Sequence, residues 1–147
     1  MNPLFPRQRW LLFLTAVYLA VCALCAISPV DRVTWWAENA TIWLFVGWVA
    51  ALYARGIRFS NVAYTLMTLF FCLHTIGGHY TFSEVPFGWV SDLIGAERNH
   101  YDRLCHFMVG VFALPLYEMG VATARHHLPH LGLPRGLAGD CGLCRTL

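Results

Sequence analysis

The sequence HTIGGHYTFSE at residues 74–84, followed by RNHYDRLCH at residues 98–106, interrupts an otherwise very apolar chain. These stretches and the loop between them hold four histidines and four of the chain's eight acidic residues. Polar groups at the boundary of a lipid bilayer cost desolvation free energy unless they bind something or one another. This polar connection, residues 74–106, therefore indicates both the fold class and the position of a candidate site.

The composition indicates lipid rather than water as the main surroundings of the chain. Of its 147 residues, 58% are hydrophobic and 12% are charged, with a mean hydropathy of +0.54. A soluble domain carries about 25% charged residues. The formal net charge is only +2, so we expect membrane lipid as the partner and no nucleic acid.

Four apolar segments approach the roughly 20 residues that a helix needs to cross a bilayer. They cover residues 10–30, 35–53, 59–83 and 104–124. None of them alternates with the period of two that membrane barrel strands require. The sequence therefore predicts an all-α, polytopic integral membrane helix bundle with four transmembrane helices in residues 1–125. The Gly/Pro-rich tail, residues 126–147, is predicted to be disordered or aberrant.

Arginine positions predict the orientation of this bundle. Arg7 and Arg9 precede the first segment, and Arg55 and Arg58 lie in the short turn between the second and third. The long third connection is net acidic. Cytoplasmic loops carry the excess of basic residues, so both termini are predicted to be cytoplasmic and the polar connection to face outward.

Four side chains of the polar connection are candidate metal ligands: His74, His79, Asp102 and His106. Asp102 and His106 are four residues apart, so on a helix the carboxylate can share an ion with the imidazole or hydrogen-bond to it. Catalytic zinc is held by three or four such ligands with room for water. A divalent metal, zinc first, is therefore the expected cofactor.

Other residues of the polar connection complete the predicted site. Glu84 and His100 are the candidate catalytic residues, as general base or substitute ligand. The candidate substrate-binding residues lie close together in the chain: Arg98, Asn99, Tyr101 and Arg103. The alternative is a purely structural hydrogen-bonded network, in which Asp102 pairs with Arg103 or Arg98. This alternative stays open because neither stretch contains a specific zinc signature.

Local patterns predict four further details. Gly77 and Gly78 are poor helix formers and are expected to turn the backbone at the membrane edge. Gly110 is expected to admit a neighbouring helix at close range. Glu38 is expected in a solvated outer loop, and Glu118 to hydrogen-bond between helices.

Several motifs resemble the YjdF-like family of bacterial inner-membrane proteins. They are GGHYT at 77–81, EVPFG at 84–88, RNHYDR at 98–103, and HF at 106–107 with Gly110. The resemblance covers roughly residues 5–118 and implies a multi-pass protein of the bacterial inner (cytoplasmic) membrane, without implying an activity. A shorter motif, DRxxHF at 102–107, is similar to the DKxxHF motif of VanZ-like membrane proteins.

The chain departs from the YjdF-like pattern after about His126. Members of that family continue with further membrane helices, whereas no apolar span follows here, as in a truncated gene product. The leading hypothesis is a metal-dependent enzyme acting on a lipid-linked or envelope substrate. The alternative is a non-catalytic binding or assembly protein whose polar cluster is structural.

Overall fold

The computed structural model describes residues 6–82, 84–86 and 100–128, without the side chains of Pro6, Arg7 and Asp102. All regular structure in this part of the chain is helical, as predicted. The helices in chain order are α1 (Pro6–Cys25), α2 (Arg32–Ala54), α3 (Asn61–His79) and α4 (Tyr101–His127). The predicted tail from residue 129 onward lies outside the described residues.

Two of these helices contain segments long and apolar enough to cross a membrane, Gln8–Cys25 in α1 and Arg103–His127 in α4. The other two contain no segment that meets this description, and each carries polar residues, among them Glu38 and Asn39 in α2 and His74 in α3. Such residues lower the mean hydropathy of a helix. The structure is thus an all-helical bundle with two candidate membrane spans among its described residues.

Helix α3 lies at the centre, because α1, α2 and α4 each pack against it. The main core cluster draws buried residues from all four helices, among them Leu14, Ile42, Met67 and Phe112. The outward surfaces carry many large exposed apolar side chains, such as Leu44 and Phe107. A surface of that kind is unusual in a soluble monomer and fits contact with lipid.

Side-chain caps set where two of the helices begin. Asp31 accepts hydrogen bonds from the backbone N–H groups of Val33 and Thr34, each at 3.1 Å. These satisfy donors that the first turn of α2 leaves unpaired. The bond from the Thr34 hydroxyl, followed by the two backbone bonds, lowers the pKa of the Asp31 carboxyl.

Glu38 lies inside α2, so its predicted place in a solvated loop is wrong.

The start of α3 is tied to α4 through Ser60 and Glu118. Ser60 Oγ accepts from the Ala63 N–H at 3.0 Å and donates to Glu118 Oε2 at 2.7 Å. The Ser60 N–H donates to the other carboxylate oxygen. Glu118 is only 5% exposed, and a carboxylate at a helix N-terminus is favoured by the helix dipole. The predicted inter-helix role of Glu118 is confirmed.

Candidate functional site

His74 and Glu38 form an ion-pair contact between α3 and α2. His74 Nε2 lies 3.0 Å from Glu38 Oε2, and the two side chains are 22% and 37% exposed. The rings of Phe70 and Phe82 pack beside the imidazole, with centroids at 5.8 and 5.3 Å. The pair is therefore shielded on its flanks and open on one side, and an imidazole with a carboxylate partner can bind a metal or exchange a proton.

A neutral hydrogen-bond chain lies one residue further along each helix. Thr75 Oγ1 donates to Asn39 Oδ1 at 2.9 Å, and Asn39 Nδ2 donates to the Trp35 carbonyl at 2.8 Å. Asn39 and Thr75 have no exposed surface. A buried polar group without a partner costs roughly 1–3 kcal/mol, so this chain fixes the register of α2 on α3.

His79 points to α1 rather than to α2. Its Nδ1 lies 2.7 Å from the carbonyl oxygen of Cys25, the last residue of α1. Because a carbonyl can only accept, this ring nitrogen carries the proton. The His79 carbonyl in turn accepts from the Val30 N–H at 3.0 Å. His79 thus satisfies one of the carbonyls that the end of α1 leaves unpaired.

Tyr101 ties the first turn of α4 to α3. Its hydroxyl donates to the Leu73 carbonyl at 2.6 Å, and the side chain is only 3% exposed. Burial is the main cause that raises the pKa of this phenol. Tyr101, Cys105 and Val85 form a second buried cluster, so the hydroxyl proton predicted to meet a substrate is engaged within the fold.

His100 and Arg103 contact each other at the start of α4. Arg103 Nη1 lies 3.3 Å from His100 Nδ1. A guanidinium has no acceptor, so a hydrogen bond here requires the imidazole nitrogen to accept. His100 occupies the N-cap position of α4 and makes no side-chain capping bond.

Gly77 and Gly78 belong to the last turns of α3, so the predicted turn at these residues is wrong. A Cβ at Gly77 would lie 2.3 Å from Phe82 Cε1, and one at Gly78 would lie 3.2 Å from Glu38 Cβ. Both glycines therefore provide space for close packing. The chain turns later, at Thr81 and Phe82, whose φ angles are +53° and +60°.

The remaining predicted site residues are exposed or lie outside the described residues. His106 is exposed on α4, and Glu84 is exposed beyond the turn. Gly110 is also exposed, and a Cβ there would meet nothing within 4 Å. Its predicted close helix contact is therefore wrong for the described chain. Arg98 and Asn99 lie outside the described residues.

The metal prediction requires at least three ligands close together. In the part of the chain that the structure describes, no group of three or more His, Cys, Asp or Glu side chains is placed to hold a metal ion. His74 and His79 are five residues apart on α3, which separates their directions by about 140°. They accordingly contact α2 and α1. Because the side chain of Asp102 is not described, the set of His74, His79, Asp102 and His106 stays a prediction.

Sequence reasoning missed two members of the site, Glu38 and Asn39 on α2. The signal for Glu38 was present, because a carboxylate within an apolar segment is expensive and usually paired. Its partner could not be predicted from the sequence, since the pairing depends on the rotation of α2 relative to α3.

We call the residues that join the helices here the polar cluster; they are Glu38, Asn39, His74, Thr75, His79 and Tyr101.

Comparison with known proteins agrees with a membrane location. The chain matches the model of a family described as "Predicted membrane protein (DUF2238)" over residues 10–144. It is 36% identical over 86 residues to the inner membrane protein YjdF of Escherichia coli (strain K12). That alignment covers 58% of this chain and 41% of the relative's length. No solved structure matches. Because the family match covers most of the chain, this membrane protein belongs to the DUF2238 family, and the predicted YjdF-like resemblance is confirmed.

Proposed function

We propose that this chain is a multi-pass inner-membrane protein in which all four helices cross the bilayer and both termini are cytoplasmic. Its polar cluster is a non-catalytic network on the outer side that holds α1, α2 and α4 on α3. That network supports a binding or assembly surface for an envelope partner or a lipid headgroup. The YjdF match supports the inner membrane as the location.

One observation carries this proposal: polar side chains of the cluster find partners on different helices. His74 contacts Glu38 of α2, His79 contacts the end of α1, and Tyr101 of α4 contacts Leu73 of α3. Hydrogen bonds of this kind restrain helices inside a membrane, where each is worth about 0.6 kcal/mol on average. The contacts join all four helices at one end of the bundle.

The second candidate is the metal-dependent enzyme, and the openness of the His74–Glu38 pair favours it. A carboxylate and an imidazole 3.0 Å apart, both partly exposed, can supply two metal ligands or a proton-transfer pair. The side chain of Asp102, which is not described, would have to supply the third ligand. In this reading, Glu38 replaces or joins the ligands predicted from sequence.

Metal analysis combined with a double-mutant cycle separates the two candidates. The protein is purified in detergent without chelators, and its metal content and free energy of unfolding are measured for wild type, Glu38→Gln, His74→Gln and the double variant. If the role of the His74–Glu38 pair is structural, we expect substoichiometric metal in all four proteins. The coupling free energy should be about 0.5–1 kcal/mol, because the pair is partly exposed.

Asp102→Asn is the matching variant for the enzyme reading. The amide keeps the side-chain volume but removes an anionic ligand, so a metal site should lose roughly 10–100-fold in affinity. Stoichiometric zinc in wild type that is lost in both His74→Gln and Asp102→Asn would overturn the structural proposal and favour the enzyme.

A further inference from the structure

Away from the polar cluster, a cleft lies between α1 and α2, with α3 as its floor. Both helices pack along α3 but make no comparable contact with each other. The cavity between them has a volume of about 470 Å³. Leu11 and Val49 are among the residues of its two walls, and Met67 and Phe71 belong to its floor.

The lining is mainly apolar, although Gln8 and three tyrosines also belong to it, and its threonines are hydrogen-bonded to their own helices. Thr15 Oγ1 donates to the Leu11 carbonyl at 2.8 Å, and Thr68 Oγ1 donates to the Tyr64 carbonyl at 2.9 Å. These hydroxyl protons are thus not available to a ligand. The chemistry of the cleft therefore suits a hydrocarbon chain, which requires no hydrogen bonds.

The dimensions of the cleft match one chain in one leaflet. On α1 its lining extends from Gln8 to Tyr18, which is about 15 Å along a helix axis. That length is half of the roughly 30 Å hydrocarbon core of a bilayer. A volume of 470 Å³ over this length of helix corresponds to a cross-section of roughly 31 Å², so the cleft is narrow and elongated.

A cation is fixed at one end of the cleft. Tyr53 lines the cavity, and the Arg58 guanidinium lies 3.6 Å from the centroid of its ring. Arg58 also donates to the Tyr53 carbonyl. A guanidinium has five N–H donors, so donors remain for a phosphate. Arg55 lies at the same end of the bundle but is not stacked on a ring that lines the cleft.

We propose that this cleft binds one acyl chain of an anionic phospholipid of the cytoplasmic leaflet, whose phosphate is held by Arg58. The leaflet follows from the proposed orientation, while the binding itself does not depend on the role of the polar cluster. The charge of Arg58 selects an anionic lipid over a zwitterionic one, and the mainly apolar lining of the elongated cleft suits its hydrocarbon chain.

Native mass spectrometry of the full chain in detergent tests the proposal with two lipids of identical chains, dioleoyl phosphatidylglycerol and dioleoyl phosphatidylcholine. We expect one tightly bound phosphatidylglycerol and about fivefold weaker phosphatidylcholine, the factor expected for one arginine near an anionic headgroup. Arg58→Gln should abolish that preference, while Arg55→Gln, its matched control, should largely keep it.

A second pair of variants tests the cleft itself. Ala50 lines it and is exposed at its edge, whereas the neighbouring exposed Ala51 does not line it. Ala50→Phe should therefore lower the occupancy of both lipids, and Ala51→Phe should leave them unchanged. Equal occupancy in the two phenylalanine variants, or equal affinity of wild type for the two lipids, would overturn the proposal. A lipid-free dimer that Ala50→Phe dissociates would identify a second copy as the occupant instead.

Discussion

The end of α3 depends on a glycine whose missing side chain makes room for an aromatic ring. The Phe82 N–H donates to the Gly77 carbonyl at 2.7 Å, while the Phe82 ring lies where a Cβ of residue 77 would be. This is the bond of a Schellman-type helix end, with Thr81 in the left-handed position that glycine usually takes. The same ring packs beside His74, so the turn and the polar cluster are coupled.

Replacing Gly77 by alanine should destabilise the protein although alanine favours helices. The new Cβ would lie 2.3 and 2.5 Å from two atoms of the Phe82 ring, so the ring must leave its place. Overpacking of this kind costs about 1–3 kcal/mol, measured as the change in free energy of unfolding in detergent. Gly110→Ala is the matched control, because a Cβ there meets nothing within 4 Å. It should be neutral or stabilising by up to about 1 kcal/mol.

If Gly77→Ala unfolds at the same denaturant concentration as wild type, the packing role of this glycine is refuted. A second comparison excludes a general helix effect. In a Phe82→Ala background the ring is gone, so Gly77→Ala should cost much less than it does in wild type.

At the level of whole elements, the two ends of α3 are held differently. Its first residue follows Ser60, which Glu118 of α4 holds through two hydrogen bonds. Its last turns contact the other three helices through His74, His79 and the Leu73 carbonyl. One central helix is thus restrained at both ends by its neighbours, which fits its position in the bundle.

The joint between α3 and α4 should be sensitive to the charge of Glu118. Glu118→Gln keeps the volume but replaces one acceptor oxygen with an NH2 group that faces the Ser60 donors. We expect a loss of about 1–3 kcal/mol in the free energy of unfolding, the range for a compromised buried hydrogen bond. Glu84→Gln, at an exposed position, should change it by less than about 0.5 kcal/mol.

Ser60→Ala provides the partner for a double-mutant cycle with Glu118→Gln. The two changes should cost less together than the sum of their separate effects, because either one already disrupts the same contact. Strictly additive costs would mean that the two side chains stabilise the protein independently, and the joint between α3 and α4 would have to be abandoned.

The sequence predicts the helices better than the contacts between them, for a physical reason. A long apolar segment without charges predicts a helix in lipid from its composition alone. Most of α1 and all of α3 coincide with such segments. The pairing of His74 with Glu38 depends on the rotation of two helices about their axes, which composition does not encode. The role of Gly77 depends on the Phe82 ring folding back over α3. That contact is not visible in the sequence, where Gly77 and Gly78 resemble the residues of a turn.

At the scale of the whole molecule, charge and packing together define the expected path through the bilayer. Arg9, Arg55 and Arg58 lie at the end of the bundle where α1 and α3 begin and α2 ends. The polar cluster lies at the opposite end. Basic residues stay on the cytoplasmic side, so the polar cluster should lie on the periplasmic side if each helix crosses the membrane.

Cysteine labelling in spheroplasts tests this path at three connections. In a variant without native cysteines, single cysteines are introduced as Val30→Cys, Arg55→Cys and Ser91→Cys, and a membrane-impermeant maleimide is added. We expect labelling at residues 30 and 91 in intact spheroplasts and at residue 55 only after permeabilisation, because α2 should return the chain to the cytoplasmic side and α3 should cross outward again. The Arg55→Cys variant thus serves as the internal control for the two outer sites. Labelling of residues 55 and 91 from the same side would mean that α3 does not cross the bilayer. If residue 91 is labelled only after permeabilisation, the orientation is the reverse of the proposed one, and the lipid cleft lies in the opposite leaflet.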